Sequence, residues 1–178
     1  KTFHKSQYQP QNAAVIVVGD FNADAMLIRL KALFSGWENS GWKNAKTNPA
    51  ITPARDFTTA KVLLVDKPDA IETTLLIGGK GVTRANPDYV AISVINTILG
   101  GRFTSWLNDE LRVNAGLTYG ARSSFSSYRQ SGSFSISTFT KTATTVAAID
   151  LALETYQRLW KKGVDETTLA SAKAYVKG

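Results

Sequence analysis

Arg112 and Tyr119 are the two residues whose types and spacing could do chemistry together. A guanidinium holds oxygen acceptors in a fixed fork, and a phenol can donate a hydrogen bond to an oxygen that gains negative charge. Between them lies Gly116. The pattern predicts Arg112 in the last turn of a helix, Gly116 as the left-handed residue that ends it, and Tyr119 at the start of the next strand. Such a corner brings guanidinium and phenol to one edge of a sheet. Ordinary structure accounts for the same residues: an Arg near a helix C-terminus complements the helix dipole, and Tyr is a common strand residue. Spacing alone leaves both accounts open.

Other chemistry is narrowed by what the chain contains. It has no cysteine and a single histidine, His4. Disulfides, thiolate zinc sites, iron–sulfur clusters and a cysteine nucleophile are therefore excluded. A Ser-His-Asp relay would need His4 carried into a pocket from the chain's beginning. Zinc needs about three protein ligands even in a catalytic site, and only carboxylates stand beside His4, so no metal site is expected on this chain. Asp109 and Glu110 are adjacent, and on a helix their side chains diverge. Asp20 and Asp24 flank a helix start, where capping explains them. Gly78-Gly79-Lys80-Gly81 lacks the Ser/Thr that a phosphate loop needs after its lysine, and reads as a strand end with close backbone approach. The serines from Ser123 to Ser137 have no base nearby and fit one face of a sheet.

The elements that must position Arg112 and Tyr119 follow from hydropathy patterning. Ala13 to Gly19 and Ala60 to Asp66 are apolar, β-branched runs that suggest strands, and Ile71 to Gly79 is a third. Lys67 to Ala70 would join the last two as a hairpin. Asn22 suits an N-cap for a helix carrying Leu27, Leu30 and Phe34. Residues 38 to 56, rich in Asn, Lys and Thr, read as a long loop. Asn86-Pro87-Asp88 opens a helix with Ala91, Val94, Ile95 and Ile98 as its stripe, stopped by Gly100-Gly101. A second helix spans about 104 to 114 and buries Leu107 and Leu111. Two more strands cover about 118 to 126 and 132 to 140; in the latter Phe134, Ile136 and Thr138 alternate with serines. A long helix from Ala143 to Trp160 presents Val146, Ile149, Leu153, Tyr156 and Trp160. Lys161-Lys162-Gly163 ends it, and Asp165 caps a final helix that runs into Gly178 without a stop signal. Hairpins separated by helices predict an α+β fold: a mainly antiparallel sheet with helices packed on one face.

The bulk composition agrees with a globular domain. The chain has 178 residues, of which 43% are hydrophobic and 20% charged. A net charge of 21 − 14 = +7 is spread along the chain, without the clustered stripe that nucleic-acid binding calls for, so no nucleic-acid partner is expected. The longest apolar run, Ala13 to Val18, falls far short of the roughly 20 residues of a membrane span.

The string LNDELRVNAGLTYG, residues 107–120, adds a resemblance. It is similar to the C-terminal, non-zinc half of the insulinase / mitochondrial processing peptidase (pitrilysin-type) zinc metalloproteases, which carries Leu-Arg, a short variable stretch and Gly-Leu-x-Tyr-Gly. QYQPQNAAVIVVGDF (7–21), NPDYVAISVINTILGGRFTSWLNDELR (86–112) and GVDETTLASAKAYVKG (163–178) resemble further segments of that half, in the same order. The resemblance implies a single domain over 1–178, continuing past Gly178 in the family, as one half of a clam-shell peptidase. It implies that zinc and an HxxEH motif come from a complementary domain or subunit, and that a peptide is the substrate. By position, Arg112 and Tyr119 inherit substrate binding and transition-state stabilisation. A non-catalytic scaffold or assembly subunit of the same fold is the alternative. The glycine-rich style of ILGG and GLTYG resembles bacterial envelope forms and points to the periplasm.

Overall fold

A computed structural model describes residues 2–37 and 59–178. They fall into two compact units, divided between Thr52 and Pro53. The loop expected over 38–56 lies outside the described residues.

The first unit contains helix α1 (Thr2–Gln7), a single 3₁₀ turn at Pro10–Asn12 and helix α2 (Ala23–Leu33). Asn22 caps α2 as its position predicts: Oδ1 accepts a hydrogen bond from the Ala25 N–H at 2.9 Å. Residues 13–18 lie between these helices without regular secondary structure, and their valines and isoleucine are exposed. The strand expected there does not form among the described residues. An apolar β-branched run favours a strand, but a strand exists only when a neighbour takes up its backbone hydrogen bonds.

The second unit is built on a three-stranded antiparallel sheet. Its strands are β1 (Glu72–Lys80), β2 (Ala121–Ser127) and β3 (Gly132–Lys141), in the order β1-β3-β2. The register pairs Ile77 with Ile136 and Ser123 with Ile136, so these three share one face. The hairpin expected from 60 to 79 forms only in part. Its turn is present, with Ala70 N–H donating to Lys67 C=O at 3.2 Å and Asp69 at φ +67°. Residues 61–65 join no ladder among the described residues, and Val62, Leu63, Leu64 and Val65 are 79–92% exposed. The glycines at the other end of β1 mark close backbone approach, as expected. A Cβ on Gly78 would meet the Phe134 carbonyl, and one on Gly81 would meet the Ser133 backbone.

Helices cover one face of this sheet. Helix α3 (Tyr89–Asn96) opens two residues later than Pro87 suggests and continues as a π-helical stretch, Thr97–Gly101. Helix α4 (Trp106–Asn108) likewise runs on as a π stretch, Asp109–Asn114. Leu99, Leu107 and Leu111 from these helices pack with Ala121, Phe134, Ile136 and Ala152 as the main core. Gly100 does more than end a helix: a Cβ there would collide with the Ser123 backbone nitrogen, so its bare backbone lets the helix touch β2.

Helix α5 (Thr145–Lys161) buries Ala148, Ala152 and Thr155, whereas Val146 and Trp160 of the expected stripe are exposed. Small residues at the centre of the buried face let the helix lie close to its neighbours, and larger residues flank the contact. Helix α6 (Glu166–Lys177) is capped by Asp165. Its carboxylate accepts from Thr168 N–H at 2.8 Å and Thr168 O–H at 2.7 Å, and these bonds hold its pKa below the ordinary value. Val94, Ile98 and Trp106 close a second small core with Ala172 of α6.

Candidate functional site

The helix carrying Arg112 ends in a wide turn. Ala115 N–H donates to the Glu110 carbonyl, five residues back, at 3.0 Å. Leu117 N–H donates to the Leu111 carbonyl at 2.8 Å, around Gly116 at φ +62°. That is a left-handed helix terminator with one extra residue, which the π stretch supplies. The predicted role of Gly116 is therefore met, in a wider form than an α-helix would give.

Beyond the turn, threonines pin the backbone on which Tyr119 sits. Thr118, Thr138 and Thr140 are all buried. Thr140 Oγ1 donates to the Leu117 carbonyl at 2.7 Å, and Thr138 Oγ1 donates to the Gly120 carbonyl at 3.0 Å. Thr118 Oγ1 accepts from the Gly120 N–H at 3.2 Å. Backbone groups on both sides of Tyr119 are thus held, while its side chain is 85% exposed. The phenol ring lies beside Phe139, centroids 6.5 Å apart.

Arg112 is half-buried, with its guanidinium carbon 4.6 Å from the centre of the Phe103 ring. Each predicted site residue therefore has an aromatic neighbour of its own, Phe103 for Arg112 and Phe139 for Tyr119. Among the described residues, no hydrogen bond joins Arg112 to Tyr119. The rest of the helix is fixed independently: the Arg158 guanidinium stacks on Trp106 at 4.1 Å and pairs with Glu110 at 3.8 Å. Asp109 is exposed, whereas Glu110 is half-buried and pairs with Arg158.

Sequence reasoning missed Asn108, Phe103 and Thr140. Asn108 is 7% exposed; its Nδ2 donates to the Phe103 carbonyl at 3.0 Å and its Oδ1 accepts from the Ala121 N–H at 2.9 Å. A signal for Thr140 existed, since a hydroxyl on the inward phase of an alternating strand must find a partner. The serines do not all fall on one face of the sheet, although the sequence suggests they would. Ser133 and Ser137 face outward, and inward Ser123 donates to Asn96 Oδ1 at 2.7 Å.

Residues 1–176 match the family described as the peptidase M16 inactive domain. The chain belongs to this family. Relatives include the zinc protease PqqE of Helicobacter pylori, 32% identical over 62% of this chain and 24% of that protein. An uncharacterized zinc protease of Bacillus subtilis, YmxG, is 26% identical over 96% of this chain and 40% of its own length. Among solved structures, a protease from Helicobacter pylori matches with a TM-score of 0.85 and 25% identity, over 99% of this chain and 42% of that one. The chain thus spans well under half the length of these relatives. The α+β fold and the inactive-domain resemblance read from LNDELRVNAGLTYG are both met by this M16 membership.

Among the described residues, the side chains of this M16 inactive domain do not fit a zinc ion. His4 stacks on Tyr8 in the first unit, with ring centroids 4.8 Å apart. Among the described residues no group of three or more His, Cys, Asp or Glu could hold a metal. No helix among them is long and apolar enough to cross a membrane.

Proposed function

We propose that this domain is the substrate-binding half of a zinc-dependent peptidase, contributing Arg112 and Tyr119 to a complementary HxxEH-bearing domain or subunit that holds the zinc. The observation that carries the reading is the preorganised corner. Tyr119 offers an exposed phenol on a backbone fixed by Thr118, Thr138 and Thr140. Fixed donors cost little reorganisation when charge develops on a reacting oxygen. Arg112 lies in a π-helical stretch, a feature that recurs at functional sites. The names of relatives such as the zinc protease PqqE support the same class.

In this reading the peptide lies extended across the corner. The Arg112 guanidinium donates to a substrate carbonyl and anchors the ground state. The Tyr119 hydroxyl donates to the scissile carbonyl oxygen as it gains negative charge on attack, and holds that oxygen until the leaving amine departs. Catalysis belongs to the assembled halves, and the periplasm is the compartment in which we place them.

Tyr119→Phe removes one donor and almost no packing. In the assembled enzyme, with an unstructured peptide, it should lower kcat by about 10²–10³-fold with a smaller change in KM. Arg112→Ala should lower kcat and raise KM together. Wild-type kcat/KM in both variants would replace this reading with that of a scaffold subunit of the same fold.

A further inference from the structure

We infer that Asn108 and Phe103 are positioning residues that set where the Arg112 guanidinium and the Tyr119 segment stand relative to each other. The inference rests on the reading that Arg112 and Tyr119 contact the peptide.

Asn108 belongs to the same helix as Arg112, one turn before it. Both ends of its carboxamide are used, each on a different part of the corner. Nδ2–H holds the Phe103 carbonyl at 3.0 Å, in the turn that leads into the helix. Oδ1 holds the Ala121 N–H at 2.9 Å, at the first residue of β2 and two positions after Tyr119. A carbonyl only accepts and a backbone N–H only donates, so the orientation of the amide is fixed by its partners. Among side chains of this size only Asn supplies both groups: Asp lacks the donor and Leu lacks both. Asn108 is buried, and by volume a leucine could take its place. A leucine would leave the Phe103 carbonyl and the Ala121 N–H without this partner.

Phe103 is 70% exposed, so its ring adds little to the core. Its aromatic contact is with Arg112, whose guanidinium lies over the ring face at 4.6 Å. A guanidinium stacked on a ring keeps its N–H edges free for acceptors while losing freedom to swing. The chain of contacts then runs Arg112, Phe103 ring, Phe103 carbonyl, Asn108, Ala121, with the backbone of Tyr119 two residues away. One buried amide ties the platform of the anchor to β2, which begins two residues after Tyr119 rather than at it as the sequence suggests.

The test uses the assembled enzyme with four variants. Phe103→Leu should raise KM about twofold to fivefold, the size of an exposed cation–π contact, and leave kcat nearly unchanged. Phe103→Tyr keeps the ring and should restore KM. Asn108→Leu should lower kcat and raise KM together. Should Asn108→Leu fail to fold, Asn108→Asp serves, because it loses the donor to Phe103 and keeps an acceptor for Ala121. NMR of the same proteins reads the geometry apart from turnover. The Arg112 δ-methylene protons should sit upfield under the Phe103 ring, and lose that shift in Phe103→Leu and Asn108→Asp. The Ala121 amide should exchange faster in Asn108→Leu only. If Arg112→Ala and Tyr119→Phe impair turnover while Phe103→Leu and both Asn108 variants keep wild-type kcat and KM, the inference fails and the functional reading stands. If Arg112→Ala and Tyr119→Phe are themselves silent, both fall.

Discussion

The two faces of the three-stranded sheet share every strand and differ in nearly everything else. On the covered face, Phe134 and Ile136 of β3 are buried in the core with the helices, and Thr138 and Thr140 are buried against the 117–120 segment. On the other, Ser133, Ser137 and Lys141 of the same strand are exposed, with Leu76 and Arg122 beside Ser137 in the register. The covered face is not uniformly apolar. It changes along β3 from packing at Phe134 and Ile136 to hydrogen bonding at Thr138 and Thr140, where the strand passes the Tyr119 corner. Stability and site-building are thus assigned to successive inward positions of one strand.

Substitutions along β3 should separate these tasks. Ile136→Ala opens a cavity among Leu99, Leu107 and Leu111, and should cost about 2–5 kcal/mol in denaturant unfolding. A loss under about 1 kcal/mol would mean that the helices do not rest on the sheet as described. Thr140→Val keeps the shape but leaves the Leu117 carbonyl without its hydroxyl donor. It should cost about 1–3 kcal/mol and speed amide exchange from Leu117 to Ala121. Unchanged exchange there would remove the threonines from the account of the corner. Ser137→Ala, on the open face, should change stability by no more than about 0.5 kcal/mol. A larger loss would show that this face carries a packing role of its own.

The same contrast explains what was legible in the sequence. The alternation of β3 gave its two faces, because period-two burial is written directly in residue order. Gly116, Asn22 and Asp165 were legible because turns and caps depend on residue types a few positions apart. The apolar runs at 13–18 and 61–65 gave no ladder among the described residues, since pairing depends on a distant partner that local pattern does not name. The stripe of α5 was met at Ile149 and Tyr156 and missed at Val146, Leu153 and Trp160, because large apolar residues dominate a periodicity reading, while Ala148, Ala152 and Thr155 make the close contact. At the candidate site, Arg112 and Tyr119 were visible through spacing and resemblance. Phe103 and Asn108 were not, because a ring stacked from a preceding turn and an amide reaching a following strand leave no periodic trace.

The π stretch ending at Asn114 has a consequence for how this corner tolerates changes in chain length. A π turn is an α turn with one residue to spare. Deleting Val113 would convert the five-apart bond from Ala115 to Glu110 into a four-apart bond, an ordinary α-helical closure. Leu107 and Leu111 precede the deletion and keep their seats in the core, and Gly116 still ends the helix. Every separation that spans position 113 shortens by one residue, that between Arg112 and Tyr119 and that between Asn108 and Ala121 among them. The corner thus holds a built-in length adjustment: loss of one codon at Val113 shortens the reach between anchor and phenol while Leu107 and Leu111 keep their places in the core.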